Sequence, residues 1–191
     1  MKTKTQLLLI LLLLSMSRST FAQNQPSQPD MQAMMANMMP GQVQAMMAKS
    51  VGDWKADITM WMDPSQPASK TTAKVRNDMM MDGRYLSTKY TGTMMGKPFE
   101  GMGLMAYNNA TKMFYSSWVD NMSTGMSQLS GTWKDENKSI ELRGVTNDPM
   151  SGKDMMMRQV LTFQNDNTQL MEMYMTMNGQ EMKTMEIKMT R

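Results

Sequence analysis

The chain has 191 residues, a formal net charge of +3 and 32 methionines, and it contains no histidine and no cysteine. Without those two residue types, Ser-His-Asp and Cys-His catalysis, histidine zinc sites, axial histidine ligation of haem and disulfides are all excluded.

The first 22 residues have the pattern of a secretory signal peptide. Lys2 and Lys4 precede an apolar run, Leu7 to Leu14, that is too short to span a bilayer, and small residues favour cleavage after Ala22. An N-terminal membrane anchor is the alternative, which the short run disfavours. We therefore expect an exported protein, periplasmic or secreted, that has no membrane attachment after cleavage.

The positive charge belongs to this predicted leader. Three of the 20 basic residues and none of the 17 acidic residues lie within it, so the rest of the chain has no net charge. No run of lysine or arginine follows that could track a phosphate backbone. We therefore expect no nucleic-acid partner.

Residues 23–30 read as a polar linker, and residues 31–50 as a short amphipathic helical segment that Pro40-Gly41 divides in two. Asp30 is a candidate N-cap. The helical segment carries an apolar stripe of methionines. This stripe is expected to pack against the following domain or to plug one of its ends; the alternatives are a mobile tail and a Cu(I) site formed by thioethers. The stripe consists of Met31, Met34, Met35, Met38 and Met39.

From residue 51 to residue 191 the hydrophobic period changes to two, and ten segments read as strands. Their connections are too short for crossover helices, so neighbouring strands must pair antiparallel. We predict an all-β fold, an up-and-down meander of about ten strands closed into a lipocalin-like β-barrel, since closure removes exposed edges. The predicted turns are Asp63-Pro64, Asp82-Gly83, Gly96-Lys97-Pro98, Asn108-Asn109, Asn121 to Gly125, Asp135-Glu136-Asn137, Asp148-Pro149, Asn165-Asp166-Asn167 and Asn178-Gly179.

The alternation is clearest in the last two strands. Glu172, Glu186 and Lys188 fall on the parity that should face water. The opposite parity, which should face the core, carries Met171, Met173, Met175, Met177, Met185, Ile187 and Met189.

The segment from Phe99 to Gly125 reads as a hairpin with its turn at Asn108-Asn109. Its sidedness is ambiguous, because apolar residues occupy both parities. Met102, Leu104 and Ala106 favour inward even positions, whereas Phe99, Met105 and Tyr107 favour inward odd positions.

We predict that a polar mouth of the barrel binds ligand through Arg84, Glu100, Trp118, Asp120 and Asn121. Arg84 is either a partner for an anionic head group or a solvated turn residue. Glu100 and Asp120 share a face if the hairpin loop sets an even register, a geometry compatible with acid/base catalysis; such carboxylates are more often satisfied rim groups. We assign no catalytic residue, no metal ligand and no cofactor, and we do not expect an enzyme.

The first strand opens with Gly52-x-Trp54, in which Trp54 should turn inward and cover the closed end of the barrel. Trp133, in Gly131-Thr132-Trp133, is its candidate counterpart. After the signal peptide, methionine outnumbers leucine, isoleucine and valine together. This bias indicates neutral replacement of leucine, a cavity for varied apolar guests, or an oxidant sink or Cu(I) site.

Spaced motifs from about residue 31 to the end resemble the bacterial family catalogued as domain of unknown function 1579. These are Gly52-x-Trp54, Gly83-Arg84-Tyr85-Leu86, Pro98-Phe99-Glu100-Gly101, Trp118-x-Asp120-Asn121-Met122-x-Thr124-Gly125, Asp148-Pro149-Met150-x-Gly152-Lys153 and Met185-Glu186-Ile187. That family is similar to lipocalin-like (calycin) barrels, whose first strand also carries G-x-W. The resemblance implies the fold and supplies no activity.

The sequence therefore favours an exported binding protein for a small apolar or amphipathic molecule. The alternatives are Cu(I) or oxidant handling by the methionines of residues 31–47, and an enzyme of unknown reaction.

Overall fold

Ten strands and two helices make up the part of the chain that a computed structural model describes, namely residues 27–62, 66–147, 151–177 and 179–191. The predicted signal peptide, the start of the predicted linker and the predicted turns at Asp63-Pro64, Asp148-Pro149 and Asn178 lie outside these ranges. The contacts divide the chain into two units, Met1–Met34 and Met35–Arg191.

The strands pair antiparallel with their neighbours in the sequence, and the first pairs with the last. The predicted all-β meander of ten strands in a closed barrel is therefore confirmed. The strands are β1 (Gly52–Met60), β2 (Ser69–Met80), β3 (Tyr85–Met94), β4 (Lys97–Asn108), β5 (Met113–Asp120), β6 (Ser127–Asp135), β7 (Ser139–Asn147), β8 (Asp154–Asn165), β9 (Thr168–Met177) and β10 (Gln180–Thr190).

The alternation predicted for the last two strands is confirmed by their register. Ile187 of β10 lies opposite Met171 of β9, and Glu186 lies opposite Glu172. Ile187 is buried, and the two glutamates face outward, where they contact Lys183. A β-bulge between Lys183 and Met185, which the sequence did not indicate, keeps the methionines on both sides of it on the inner face.

The β4–β5 hairpin points its odd β4 positions inward. Phe99 is buried, whereas Met102 and Leu104 are 54% and 40% exposed. Sterics decide between the two faces, because the Trp118 ring of β5 lies against Gly101, where a Cβ would overlap it. The even positions Met102 and Leu104 instead place apolar side chains on the outer wall.

The hairpin turns where Asn108-Asn109 predicted, but the loop is longer than this pair and its positive φ lies elsewhere. Asn108 is the last residue of β4, and a four-residue loop of residues 109–112 follows it. The positive φ, 58°, is at Lys112. The Asn108 side chain organises this loop, since its Oδ1 accepts hydrogen bonds from the N–H groups of Ala110 and Thr111 at 2.9 and 3.1 Å.

Helix α2 (Gln42–Ala48) packs at the end of the barrel where β1 begins, which we call the α2 end. Met47 is fully buried, and Gln44 Nε2 donates to the carbonyl of Tyr107 at 3.0 Å and to Asn109 Oδ1 at 3.3 Å. Asn109 Nδ2 donates in turn to the carbonyl of Met39 at 2.8 Å. The loop after β4 therefore holds the helix in place.

Trp54 is 4% exposed at this end, as the G-x-W motif predicts. Its Nε1 donates to the carbonyl of Ser50 at 2.8 Å, which also accepts from Asn77 Nδ2 at 3.0 Å. Ser50 Oγ accepts from Gln169 Nε2 at 2.8 Å. These bonds join β1, β2 and β9 to the segment that follows α2, so the α2 end is closed.

The preceding helix, α1, spans Gln28–Met38 and includes the last residues of the predicted linker. Asp30 is therefore not its N-cap and lies in the first turn instead. Ser27 Oγ accepts from the Asp30 N–H at 3.3 Å, and the Asp30 carboxylate accepts from the Ser27 N–H at 3.2 Å, a reciprocal cap. The five methionines of the predicted stripe are 49–64% exposed, so they bury no apolar face.

Candidate ligand-binding interior

Several side chains that point into the barrel keep accessible surface although they lie in the middle of their strands. Met171, for example, lies opposite the buried Leu161 and Ile187 and is itself only half-buried. Because these side chains point inward, their accessible surface faces the inside of the barrel. We call this set the inner apolar surface; it consists of Met105, Trp118, Phe163, Met171, Met173, Met175 and Met185.

This space lies between two packed clusters. One is built around Trp54, Ile58 and Tyr90, and the other around Phe114 and Ile140. Met105 and Phe163 pack against both clusters. These two half-buried residues therefore link the clusters, and their accessible surface lies where the clusters meet.

Gln159 brings an amide to the same interior. It lies on the inner face of β8, opposite Leu142 and Met173, and it is 8% exposed. Its side chain forms no hydrogen bond with any residue in the described ranges. Within those ranges, Asn77 Oδ1 is the one fully buried side-chain nitrogen or oxygen atom without a partner. The amide atoms of Gln159 also lack partners, so they cannot be fully buried. The Gln159 amide is therefore unpaired and borders the accessible space.

Trp118 is held in a fixed orientation on the inner face. Its Nε1 donates to Asp120 Oδ2 at 2.8 Å, and its ring meets the Tyr90 ring edge-on at a centroid distance of 5.4 Å. Burial raises the pKa of Tyr90 well above its ordinary value, so the phenol stays protonated, and its hydroxyl donates to Met189 Sδ at 3.2 Å.

Asp120 has the inward parity expected of a site residue, but its carboxylate is occupied. Besides Trp118, it accepts hydrogen bonds from the N–H groups of Met122 and Ser123 at 3.0 and 3.1 Å. These bonds fix the start of the loop that follows β5. Asp120 thus orients Trp118 and terminates its strand.

Glu100 and Asp120 do not share a face, because the register on which that prediction depended does not form. The four-residue loop places Gly101 opposite Asp120, so Glu100 faces outward, where it pairs with Lys89. The two carboxylates therefore do not form an acid/base pair.

The other two predicted site residues also have protein partners. Asn121 Oδ1 accepts from the Glu100 N–H at 3.0 Å, and its Nδ2 donates to the Pro98 carbonyl at 3.1 Å, which extends the hairpin. Arg84 lies in the turn between β2 and β3, at the α2 end, and donates to the Met81 carbonyl at 3.1 Å. Of the five predicted residues, the structure brings Trp118 and Asp120 together on the inner face, with Asn121 directly after them.

Many charged side chains on the outer wall are paired with one another. Arg158 lies 3.8 Å from the centroid of the Tyr174 ring and donates to Glu181 at 2.7 and 2.6 Å. Hydrogen bonds from Lys183 and from Arg158 lower the pKa of Glu172 and of Glu181, respectively. A depression of about 490 Å³ over β1, β2 and β3 is lined by lysine and arginine, but Lys55, Arg76 and Lys89 are in ion pairs.

The described residues contain no group of three or more histidine, cysteine, aspartate or glutamate side chains placed to hold a metal ion. The suggested thioether site in residues 31–47 stays a prediction. Met47, at its end, belongs to a packed core cluster. Neither described helix is long and apolar enough to cross a membrane.

Sequence reasoning missed Gln159, Gln44 and Asn109. For Gln159 a signal existed: it shares the parity of Met157 and Leu161, so it is a polar residue on an apolar face. Gln44 and Asn109 act through tertiary contacts that join residues more than sixty positions apart, and no local pattern indicates them.

Comparison with curated proteins found no match. A family model described as "Protein of unknown function (DUF1579)" matches residues 39–191, which include the whole barrel and α2. The motifs that resembled this family lie within that range, and they include the inward Trp54 and the Trp118–Asp120 pair. The chain therefore belongs to the DUF1579 family of proteins of unknown function.

Proposed function

We propose that this protein binds one small apolar or amphipathic molecule in the barrel interior, and that it acts after export as a binding protein. The observation that carries this proposal is the inner apolar surface, whose side chains point inward and yet remain accessible. Ligand sites are typically concave and mostly apolar, with a few polar groups. Methionine adapts its shape to varied guests because it has three rotatable bonds and a polarizable sulfur.

The inner face favours binding over catalysis. Asp120 is the one carboxylate on the inner face of the described strands, and its oxygens already accept three hydrogen bonds. The one lysine or arginine with inward parity in the described strands is Lys97, the exposed first residue of β4 at the rim. A reaction in the middle of the barrel would therefore lack a free acid or base.

The test is a titration with the neutral fluorescent probe N-phenylnaphthylamine, which brightens in apolar surroundings. Met173→Trp replaces a flexible side chain of the interior by a larger, rigid one, and it should weaken probe binding by roughly tenfold or more. Met102→Trp is the matched control, because Met102 is 54% exposed on the outer wall. It should leave the affinity unchanged.

Native mass spectrometry of protein purified from its source should also show a bound apolar species. Saturable binding that Met173→Trp weakens by this amount, in a variant that keeps its β circular dichroism, would support the proposal. Absence of saturable binding to the wild-type protein, or equal weakening by Met102→Trp, would refute it.

A further inference from the structure

We infer that the ligand is an uncharged amphiphile whose hydrogen-bonding group, such as an alcohol, ester or amide, pairs with Gln159 in the middle of the barrel. This inference deepens the proposed function and rests on it. It names the ligand class and the residue that selects it.

The first argument is the unpaired amide. Buried polar groups in proteins normally have hydrogen-bond partners, because an unpaired one loses its water without compensation. The other buried amides in the described ranges each have at least one partner: Gln44 bonds to Tyr107 and Asn109, Gln169 bonds to Ser50, and Asn77 bonds to the Ser50 carbonyl through Nδ2 although its Oδ1 is unpaired. Gln159 is only 8% exposed, yet its side chain has no hydrogen-bond partner in the described ranges. Its partner must come from the accessible interior.

The second argument is the position of Gln159. It lies in the middle of β8, and its neighbours on the inner face are apolar: Leu142 on β7 and Met173 on β9. The inner apolar surface continues from there to Met175 and Met185. A ligand with one polar group and an apolar remainder matches this arrangement, with the polar group at Gln159 and the remainder against the methionines.

The third argument is charge. Among the described strands, the one lysine or arginine with inward parity is Lys97, the exposed first residue of β4 at the rim away from the α2 end, and none lies beside Gln159 to neutralise a carboxylate or phosphate. Arg191 lies at the α2 end, where its guanidinium donates to the carbonyls of Val51 and Asp166. Arg84 donates to the carbonyl of Met81 at the same end. Taking an anion into this interior would therefore cost its hydration without an ion pair in return.

The fourth argument is the chemistry of the amide itself. Glutamine both donates and accepts hydrogen bonds, so its side chain can pair with an alcohol, an ester or an amide. Because the side chain is uncharged, it does not offset the charge of an ionic head group of either sign. A neutral head group is the class that this amide and its apolar surroundings both accommodate.

The experiment measures displacement of N-phenylnaphthylamine from the full-length mature protein by a fatty alcohol and by the fatty acid of equal chain length. The titrations are run at a pH where the acid is ionised, and below the micelle concentration of both. The alcohol should displace the probe at a concentration at least about tenfold lower than the acid does, since a buried ion without a partner is far costlier than a paired hydroxyl.

Variants then assign the selection to Gln159. Gln159→Leu should weaken alcohol binding by about fivefold to tenfold, the value of one hydrogen bond, once the displacement data are corrected for the variant's own affinity for the probe. Gln128→Leu is the matched control, because Gln128 is an exposed glutamine in β6, which β7 separates from β8. It should change neither affinity. The comparison of alcohol with acid needs no variant and stands if Gln159→Leu does not fold.

The outcomes separate the two proposals. If no probe binds to the wild-type protein, the proposed function fails. If the probe binds and the acid displaces it as well as the alcohol does, the interior does not select a neutral head group and this inference is overturned. If the alcohol is preferred but Gln159→Leu folds and binds it unchanged, the assignment to Gln159 is overturned.

Discussion

Replacing Trp54 by alanine tests how the barrel is closed at the α2 end. Trp54 is 4% exposed and packs in the cluster that also contains Ile58 and Tyr90. Its Nε1 donates to the Ser50 carbonyl at 2.8 Å, and the guanidinium of Arg191 lies 4.4 Å from its ring centroid. The substitution removes the ring, the hydrogen bond and the cation–π contact together.

The expected loss follows from these contacts. Truncating a buried tryptophan to alanine costs ~3–5 kcal/mol. We expect the upper half of that range, because a cation–π contact adds ~0.5–1 kcal/mol. The Ser50 carbonyl keeps its hydrogen bond from Asn77, so no acceptor is left unpaired. A domain is stable by ~5–15 kcal/mol, so Trp54→Ala should remove a large part of its stability.

Urea melts followed by circular dichroism measure this loss. Trp61→Ala is the control: Trp61 follows β1 and is only partly buried, and its loss should cost about 1 kcal/mol, as for an average substitution. If Trp54→Ala melts within ~0.5 kcal/mol of the wild-type protein, the scale of a surface change, the closure described here is refuted.

Three further predictions concern packing, the α2 end and pH. Gly101→Ala should destabilise the protein by ~1–3 kcal/mol in urea melts, because a Cβ there overlaps the Trp118 ring, whereas Gly125→Ala, with open space around it, should have little effect. Gln44→Ala should cost about 1–3 kcal/mol by leaving Gly41 N–H and the Tyr107 carbonyl without their partner, and the exposed Gln42→Ala should be nearly neutral. The pKa values of Glu172 and Glu181 are lowered by Lys183 and Arg158, so their stabilisation is present above the ordinary carboxyl pKa of 4.5 and lost as the pH falls below it. Glu172→Gln should therefore reduce the slope of the free energy of unfolding against pH in melts measured between about pH 3 and pH 6. An unchanged slope would contradict the assignment.

The fold was predictable because each strand carries its own alternation and each connection its own turn residues. Ile187 and Met171 could be paired from parity alone, since charged residues occupy the other face of both strands. In the β4–β5 hairpin that contrast is missing: Phe99 and Leu104 are both apolar and lie on opposite faces. There the inward face depends on the contact between Gly101 and the Trp118 ring, which is a tertiary effect.

The candidate site was less predictable than the fold. Whether Glu100 faces Asp120 depends on the number of residues in one loop, and the turn signal at Asn108 leaves that number open. The sequence favoured carboxylates as site residues, but Asp120, the carboxylate on the inner face, accepts a hydrogen bond from Trp118 and orients its ring. The unpaired group is the uncharged Gln159, and its lack of a partner is visible only once neighbouring strands are in register.

Closure of the barrel by its first and last strands has a kinetic consequence. Lys55 of β1 pairs with Thr190 of β10, and Arg191 donates to the carbonyl of Lys49, 142 positions away in the chain. Such distant pairing carries a high loop-closure entropy, and all-β chains of this kind fold in roughly milliseconds to seconds. Until β1 and β10 meet, each exposes an unpaired edge to other chains. Association during refolding should therefore be most frequent in the interval before this seam forms.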